Sequence, residues 1–181
     1  MFGVYRGITQ YRMEALENIS RLVREGLQIP VNKIVNYPYL KELVLKINEN
    51  CDNLKVIQDR YTCFELRDDN NMIIKYDSWL DEKEQFEFVI RSLCYALLLD
   101  DCKINKSQLR NSSLNPCVIL DDNESEILSR MIMLPKKLYI EELVNFSTDG
   151  SVDVVAMQKK LKIKYEDIIE RGRYLPIWDR G

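Results

Sequence analysis

The stretch 84–100, EQFEFVIRSLCYALLLD, constrains the fold more than any other part of the chain. Phe86, Val89, Ile90, Leu93, Cys94 and Leu97 recur at three- and four-residue steps, which places them on one helical face. Phe88, Tyr95 and Leu99 lie on the other side, with Arg91 and Ser92 between them. A helix that is apolar on more than one side is covered on more than one side. The pattern predicts a central helix, with Arg91, Ser92 and Tyr95 as polar interruptions that look into a crevice.

The rest of the chain supplies what could cover it. Residues 11–25 read as an amphipathic helix with Met13, Leu16, Ile19, Leu22 and Val23 as its stripe and Gly26 as its stop. A second helix is expected over 38–50, with Leu40, Leu43, Val44 and Ile47 facing one way. Three short runs, 54–59, 61–68 and 71–77, are rich in β-branched and aromatic residues. Asp68-Asp69-Asn70-Asn71 suits a hairpin turn, so a small three-stranded antiparallel sheet is predicted. Asp81 opens the central helix, and Glu82 and Glu84 suit its positive end. A polar linker spans 100–123, part of which is expected to be ordered or to cover the crevice.

Residues 124–133 form a further helix, packed through Ile127, Leu128, Met131 and Ile132. Pro135 breaks it and starts the next one. Asp149-Gly150-Ser151 reads as a boundary. It separates a domain over 1–150 from a tail over 151–181 with two short helices around Lys162-Ile163-Lys164. The fold class is α+β.

Composition removes several chemistries. The chain has no histidine, which excludes Ser-His-Asp and Cys-His sites and the H-E-x-x-H zinc motif. Its five cysteines are odd in number and include no C-x-x-C, so reduced thiols are expected rather than a disulfide frame or zinc knuckle. A formal net charge of -3 gives no overall basic signature of a nucleic-acid binder. The start of the chain lacks a signal-peptide core, and no run approaches the ~18 apolar residues of a membrane span. A cytoplasmic protein with no membrane contact is expected.

The order of elements and a stack of short motifs resemble the ImmA/IrrE family of zinc metallopeptidase-like proteins, over roughly 28–175. That family carries a helix of the form F-T-L-A-H-E-L-G-H-Y-L-L. Here MIIKYDSWLDEKEQFEFVIRSLCYALLL has the same layout and keeps the leucines at Leu93, Leu97 and Leu98. It puts Arg91 and Tyr95 in the places of the two ligand histidines and Ser92 in that of the glutamate base. The family's E-A-N-x-F-A-x-x-L-L-M-P is matched in length by ESEILSRMIMLP, with Glu124 in the place of the third ligand and Pro135 at the close. The family's tail pattern is met at Leu161, Ile163, Ile168, Arg171 and Leu175, while Lys164 and Gly172 depart from it.

The resemblance implies a zincin-like fold with a helix-turn-helix-like tail, and it implies lost chemistry. Arginine stays protonated and cannot be a zinc ligand, tyrosine is a poor one at neutral pH, and serine cannot act as the glutamate does. No metal and no cofactor are expected, and an Arg91–Glu124 pair is expected to replace the metal's charge. Arg91 reaching solvent, Ser92 and Tyr95 as packing residues and Glu124 as an ordinary helix-start acid are the plainer readings.

The resemblance further implies a pseudopeptidase that regulates by binding a protein, such as a repressor in a prophage, mobile-element or stress circuit. Arg91, Tyr95 and Glu124 are the candidate contacts. An extended peptide could add to the sheet edge, and acids at Asp100, Asp101, Asp121, Asp122 and Glu126 could steer a basic partner. The alternative is a DNA-binding regulator using Lys162, Lys164, Arg171 and Arg173 on the tail, opposed by Glu166, Asp167 and Glu170. A metallopeptidase with cysteine and acidic ligands is the third reading.

Overall fold

The structure, a computed structural model, describes residues 8–67, 71–101 and 123–175. In chain order these form α1 (Gln10–Gly26), a 3₁₀ turn (Tyr37–Tyr39), α2 (Leu40–Asn50), β1 (Leu54–Asp59), β2 (Cys63–Leu66), β3 (Met72–Asp77) and α3 (Glu82–Asp101). There follow α4 (Asn123–Met133), α5 (Lys136–Asn145), β4 (Ser147–Thr148), β5 (Ser151–Val152), α6 (Val154–Leu161) and α7 (Tyr165–Arg173). The chain divides into two units. Residues 37–129 carry the three-stranded sheet, and residues 1–36 with 130–181 make a helical unit. The cut expected near residue 150 falls inside the helical unit. The expected turn at Asp68, Asp69 and Asn70 and the linker at 102–122 lie outside the described residues, as do Cys102 and Cys117.

In the sheet unit, α3 starts where its sequence says it should. Asp81 Oδ1 accepts the N–H groups of Lys83 and Glu84, both at 2.9 Å, and Glu84 Oε2 accepts that of Asp81 at 3.2 Å. This reciprocal capping box satisfies donors that a helix start otherwise leaves orphaned. Val89, Ile90, Leu93 and Cys94 are buried on one side of α3, and Phe88, Ser92, Tyr95 and Leu99 on the other. The helix packs on β3, as its two-sided pattern requires.

The sheet is mixed, which corrects the antiparallel one expected. Its order is β1-β3-β2, with β1 parallel to β3 and β2 antiparallel to it. The last strand in sequence is therefore the middle one. Crossing two strand spacings takes about 10 Å. The four Cα steps from Asp59 to Cys63 reach roughly 13 Å, so Arg60–Thr62 can carry the chain past the end of β3. The Ser78 N–H bonds Asp59 O at 3.0 Å and the Asp77 N–H bonds Thr62 Oγ1 at 3.3 Å, which ties that end together.

The two sheet edges differ. Asn48 of α2 accepts the Val56 N–H at 2.8 Å and donates to Val56 O at 3.0 Å. Its amide thus stands in for a neighbouring strand on the outer side of β1. On β2, the Arg67 N–H bonds Asn71 O at 2.8 Å. By the antiparallel alternation, Cys63 and Glu65 also bond inward, while Phe64 and Leu66 turn their N–H and C=O outward. Those outward groups make no hydrogen bond to any described residue. Among the described residues nothing pairs with the outward groups of β2, whereas Val56 on the outer side of β1 is paired by Asn48.

The helical unit is assembled around buried arginines. Arg24 of α1 donates to Ile132 O at 2.6 Å, Pro30 O at 2.7 Å and Lys33 O at 2.6 Å. Arg171 of α7 donates to Leu134 O at 2.8 Å and pairs with Glu17 at 2.5 Å. Arg130 pairs with Asp167 at 2.7 Å and donates to Tyr174 Oη at 2.7 Å. Two of these cations thus meet carbonyls at or just past the C-terminal end of α4, where helix carbonyls lack partners and the helix dipole is negative. Ile127, Leu128, Met131 and Ile132 of α4 are buried as expected. Leu22, counted in the α1 stripe, is instead 51% exposed; buried Ser20 and Arg24 sit on the packed face. Asp149 and Gly150 join β4 to β5 with φ of 51° and 79°, the paired positive values of a tight hairpin turn.

Gly172 lies in α7 with Tyr139 against it. A Cβ there would meet Tyr139 Oη at 2.5 Å, and that hydroxyl donates to Ile168 O at 3.0 Å. Gly172→Ala is therefore expected to lose about 1–2 kcal/mol by overpacking, against a gain of up to about 1 kcal/mol in helix propensity. In a Tyr139→Phe background most of that loss should disappear. Equal urea-midpoint shifts in the two backgrounds would show that the hydroxyl is not the obstacle.

Candidate functional site

Arg91 sits on α3 with its side chain largely covered. Its Nη2 lies 2.9 Å from Glu87 Oε1 and 3.4 Å from Glu126 Oε1. Glu87 is one helical turn earlier, a pair that i,i+4 spacing makes legible. Glu126 is on α4, 35 positions away, and nothing local in the sequence announces it. The acid carried over from the family motif, Glu124, lies in the first turn of α4, where a carboxylate suits the positive helix end.

The other two motif positions are packed. Ser92 is fully buried and its Oγ makes no hydrogen bond. Tyr95 is buried, with its ring edge-on to Phe64 of β2 at 5.6 Å between centroids. Ser92 and Tyr95 therefore face the core rather than a crevice. Beside Glu124 the motif positions offer a permanently protonated arginine, a serine enclosed in the core and a buried phenol, a set that does not fit zinc. Among the described residues no three cysteine or acidic side chains come together as a metal site.

The outer face of the sheet carries a second polar cluster. Lys75 Nζ lies 2.6 Å from Glu65 Oε1 and 2.8 Å from Tyr61 Oη, and 5.1 Å from the Tyr61 ring centroid. The lysine bond holds the Glu65 carboxyl below its usual range. Burial, together with the hydrogen bond to Glu65, pushes the Cys63 thiol up to about 11. It is therefore protonated at neutral pH and a poor nucleophile. Cys51, Cys63 and Cys94 are not joined in disulfides.

The tail forms two helices, α6 and α7, joined by Lys162–Lys164, with Lys162 in a left-handed conformation at φ 56°. Lys162, Lys164 and Arg173 are exposed. Arg171 is not available to a phosphate, which corrects its place among the DNA contacts: its guanidinium is 0% exposed and spent on Glu17 and Leu134 O. Asp167 is likewise committed to Arg130. The acids at positions 100, 101, 121 and 122 belong to side chains outside the described residues. No helix among the described residues is long and apolar enough to cross a membrane. Comparison of the chain with protein-family models, with curated proteins and with solved structures finds no match.

Proposed function

We propose that the chain is a non-catalytic, zincin-like relative of ImmA/IrrE metallopeptidases that regulates by binding a partner protein. The resemblance points to a repressor or other regulator of a mobile-element or stress circuit as that partner. The observation that carries this reading is the Arg91 cluster. A protonated guanidinium held by Glu87 and Glu126 occupies the α3 position that the motif gives to a metal ligand. A cation fixed there supplies charge without Lewis acidity or an activated water.

The binding element is the outer edge of β2, which no described residue pairs. Phe64 and Leu66 each turn one backbone donor and one acceptor outward, which an extended peptide can pair with. Leu66→Pro removes one outward N–H at an edge position where proline is tolerated. Extended heptapeptides selected against the wild-type chain from a random library are expected to bind Leu66→Pro at least about tenfold more weakly, the scale of one or two charge-free hydrogen bonds plus edge distortion. Protein purified without chelator is expected to hold far less than stoichiometric zinc. Stoichiometric zinc with peptide cleavage, or unchanged peptide binding by Leu66→Pro, would overturn the reading.

A second reading rests on the exposed lysines of the tail. Lys162 and Lys164 flank the turn between α6 and α7 in a helix-turn-helix-like order. Duplex binding that falls steeply with salt would support a DNA-binding regulator. No binding at low salt would remove it.

A further inference from the structure

Trp79 is 87% exposed, the highest value among the large apolar side chains described. It is not on a loose segment. Its N–H bonds Asp77 Oδ1 at 2.8 Å, the preceding Ser78 N–H bonds Asp59 O at 3.0 Å, and Leu80 O accepts from Gln85 Nε2 at 2.6 Å. The Asp81–Glu84 capping box follows directly. The fold therefore holds the backbone on both sides of an indole that it leaves in water. Exposed Ile57 and Tyr61 belong to the same end of the sheet, which the Asp77–Thr62 bond ties together. Exposed apolar groups gathered on a fixed frame mark a contact surface.

Charge selects the partner. Asp59, Asp77, Asp81, Glu82 and Glu84 lie in the turn or on the strand paired beside it, against Arg60, Lys75 and Lys83. Lys83 is directed to the Tyr37 ring, at 5.6 Å. The same sheet end already seats one cation on an aromatic face, Lys75 on Tyr61. Trp79 has the stronger π-face, and no described cation lies over it. The carboxylates disfavour an anionic membrane surface.

We propose that the Asp77–Glu84 turn docks a basic segment of a partner protein, with an arginine or lysine over the Trp79 ring and the surrounding carboxylates drawing it in. This rests on the partner-binding reading and adds that the contacting segment is cationic. Its test does not depend on the β2 edge.

The full chain, labelled with ¹⁵N at its two tryptophans, is titrated with a capped hexapeptide of alternating arginine and glycine, and with the glutamate counterpart. Trp79→Phe assigns the Trp79 indole signal and separates it from Trp178. The arginine peptide is expected to move the Trp79 signal saturably and leave Trp178 still, and the glutamate peptide to move neither. Trp79→Ala, at a position too exposed to threaten the fold, should weaken arginine-peptide binding about two- to fivefold, the scale of an exposed cation–π contact. Leu66→Pro should respond as the wild type does, so failure of the edge reading leaves this result standing. A stationary Trp79 signal, an equal response to the glutamate peptide, an unchanged affinity in Trp79→Ala, or a shift produced by protein concentration alone would each overturn the proposal.

Discussion

Glu17→Ala is expected to destabilise the protein by about 3–5 kcal/mol, and Arg171→Met by only about 2 kcal/mol. The order follows from what each variant leaves behind. Without Glu17, a guanidinium at 0% exposure loses its counter-charge, and its Nη1 already lacks a partner. Without Arg171, the remaining carboxylate is 30% exposed and can turn to water. The apolar stem of methionine then fills much of the space, and the chief loss is the bond to Leu134 O. Urea unfolding at neutral pH, with the two midpoints compared at equal slope, checks the order. A larger loss for Arg171→Met would mean that the pair's energy lies in packing rather than charge. If Arg171 were instead a DNA contact, as the tail's sequence suggested, neither change would affect stability.

The second large effect is expected at Arg24. Arg24→Met should cost about 3–5 kcal/mol, since three carbonyl oxygens lose charge-assisted bonds in a buried setting. Two of them, Pro30 O and Lys33 O, belong to the segment after α1, and the third belongs to α4. The arginine therefore fixes the path of that segment as well as capping a helix. Arg24→Lys should recover less than half of the loss. A single ammonium carries charge and donors but cannot span three acceptors as a planar fork does. The same unfolding series reads both variants, and full rescue by lysine would reduce the site to charge alone.

Elements whose signal is local were legible in the sequence. The two-sided apolar run gave α3, Asp81 gave its cap and Pro135 gave the start of α5, each because one residue's chemistry decides one turn of helix. Strand pairing was not, because a partner strand is a long-range choice. Three strands with short connections look like a meander, and the run Met72-Ile73-Ile74 was the available hint. Ile73 and Ile74 point to opposite faces and are both buried, which fits a middle strand rather than an end one. Asp149-Gly150 looked like a boundary, although Asp-Gly is also a hairpin turn.

In the candidate site, Arg91 could be singled out by motif position. Of its two partners, Glu87 lay at a readable spacing and Glu126 did not. Arg171 was misassigned because a basic residue in a short polar helix reads as surface. Its burial depends on Glu17, 154 positions away. The exposure of Trp79 has no local signal in the sequence, since tryptophan is highly buried on average.

That same separation has a consequence for how the molecule is made. All residues of the sheet unit have been synthesised by position 129, while the helical unit still lacks 130–181. At 5–20 residues per second those roughly fifty residues take about 3–10 s to add. Ile132 O, which receives Arg24, is added only after the sheet unit is complete, and the arginine that receives Glu17 follows only at position 171. A lone helix of its 17 residues is marginal in water. Made before the residues that hold it, α1 is thus secured late, and its apolar stripe stays open to a chaperone in between.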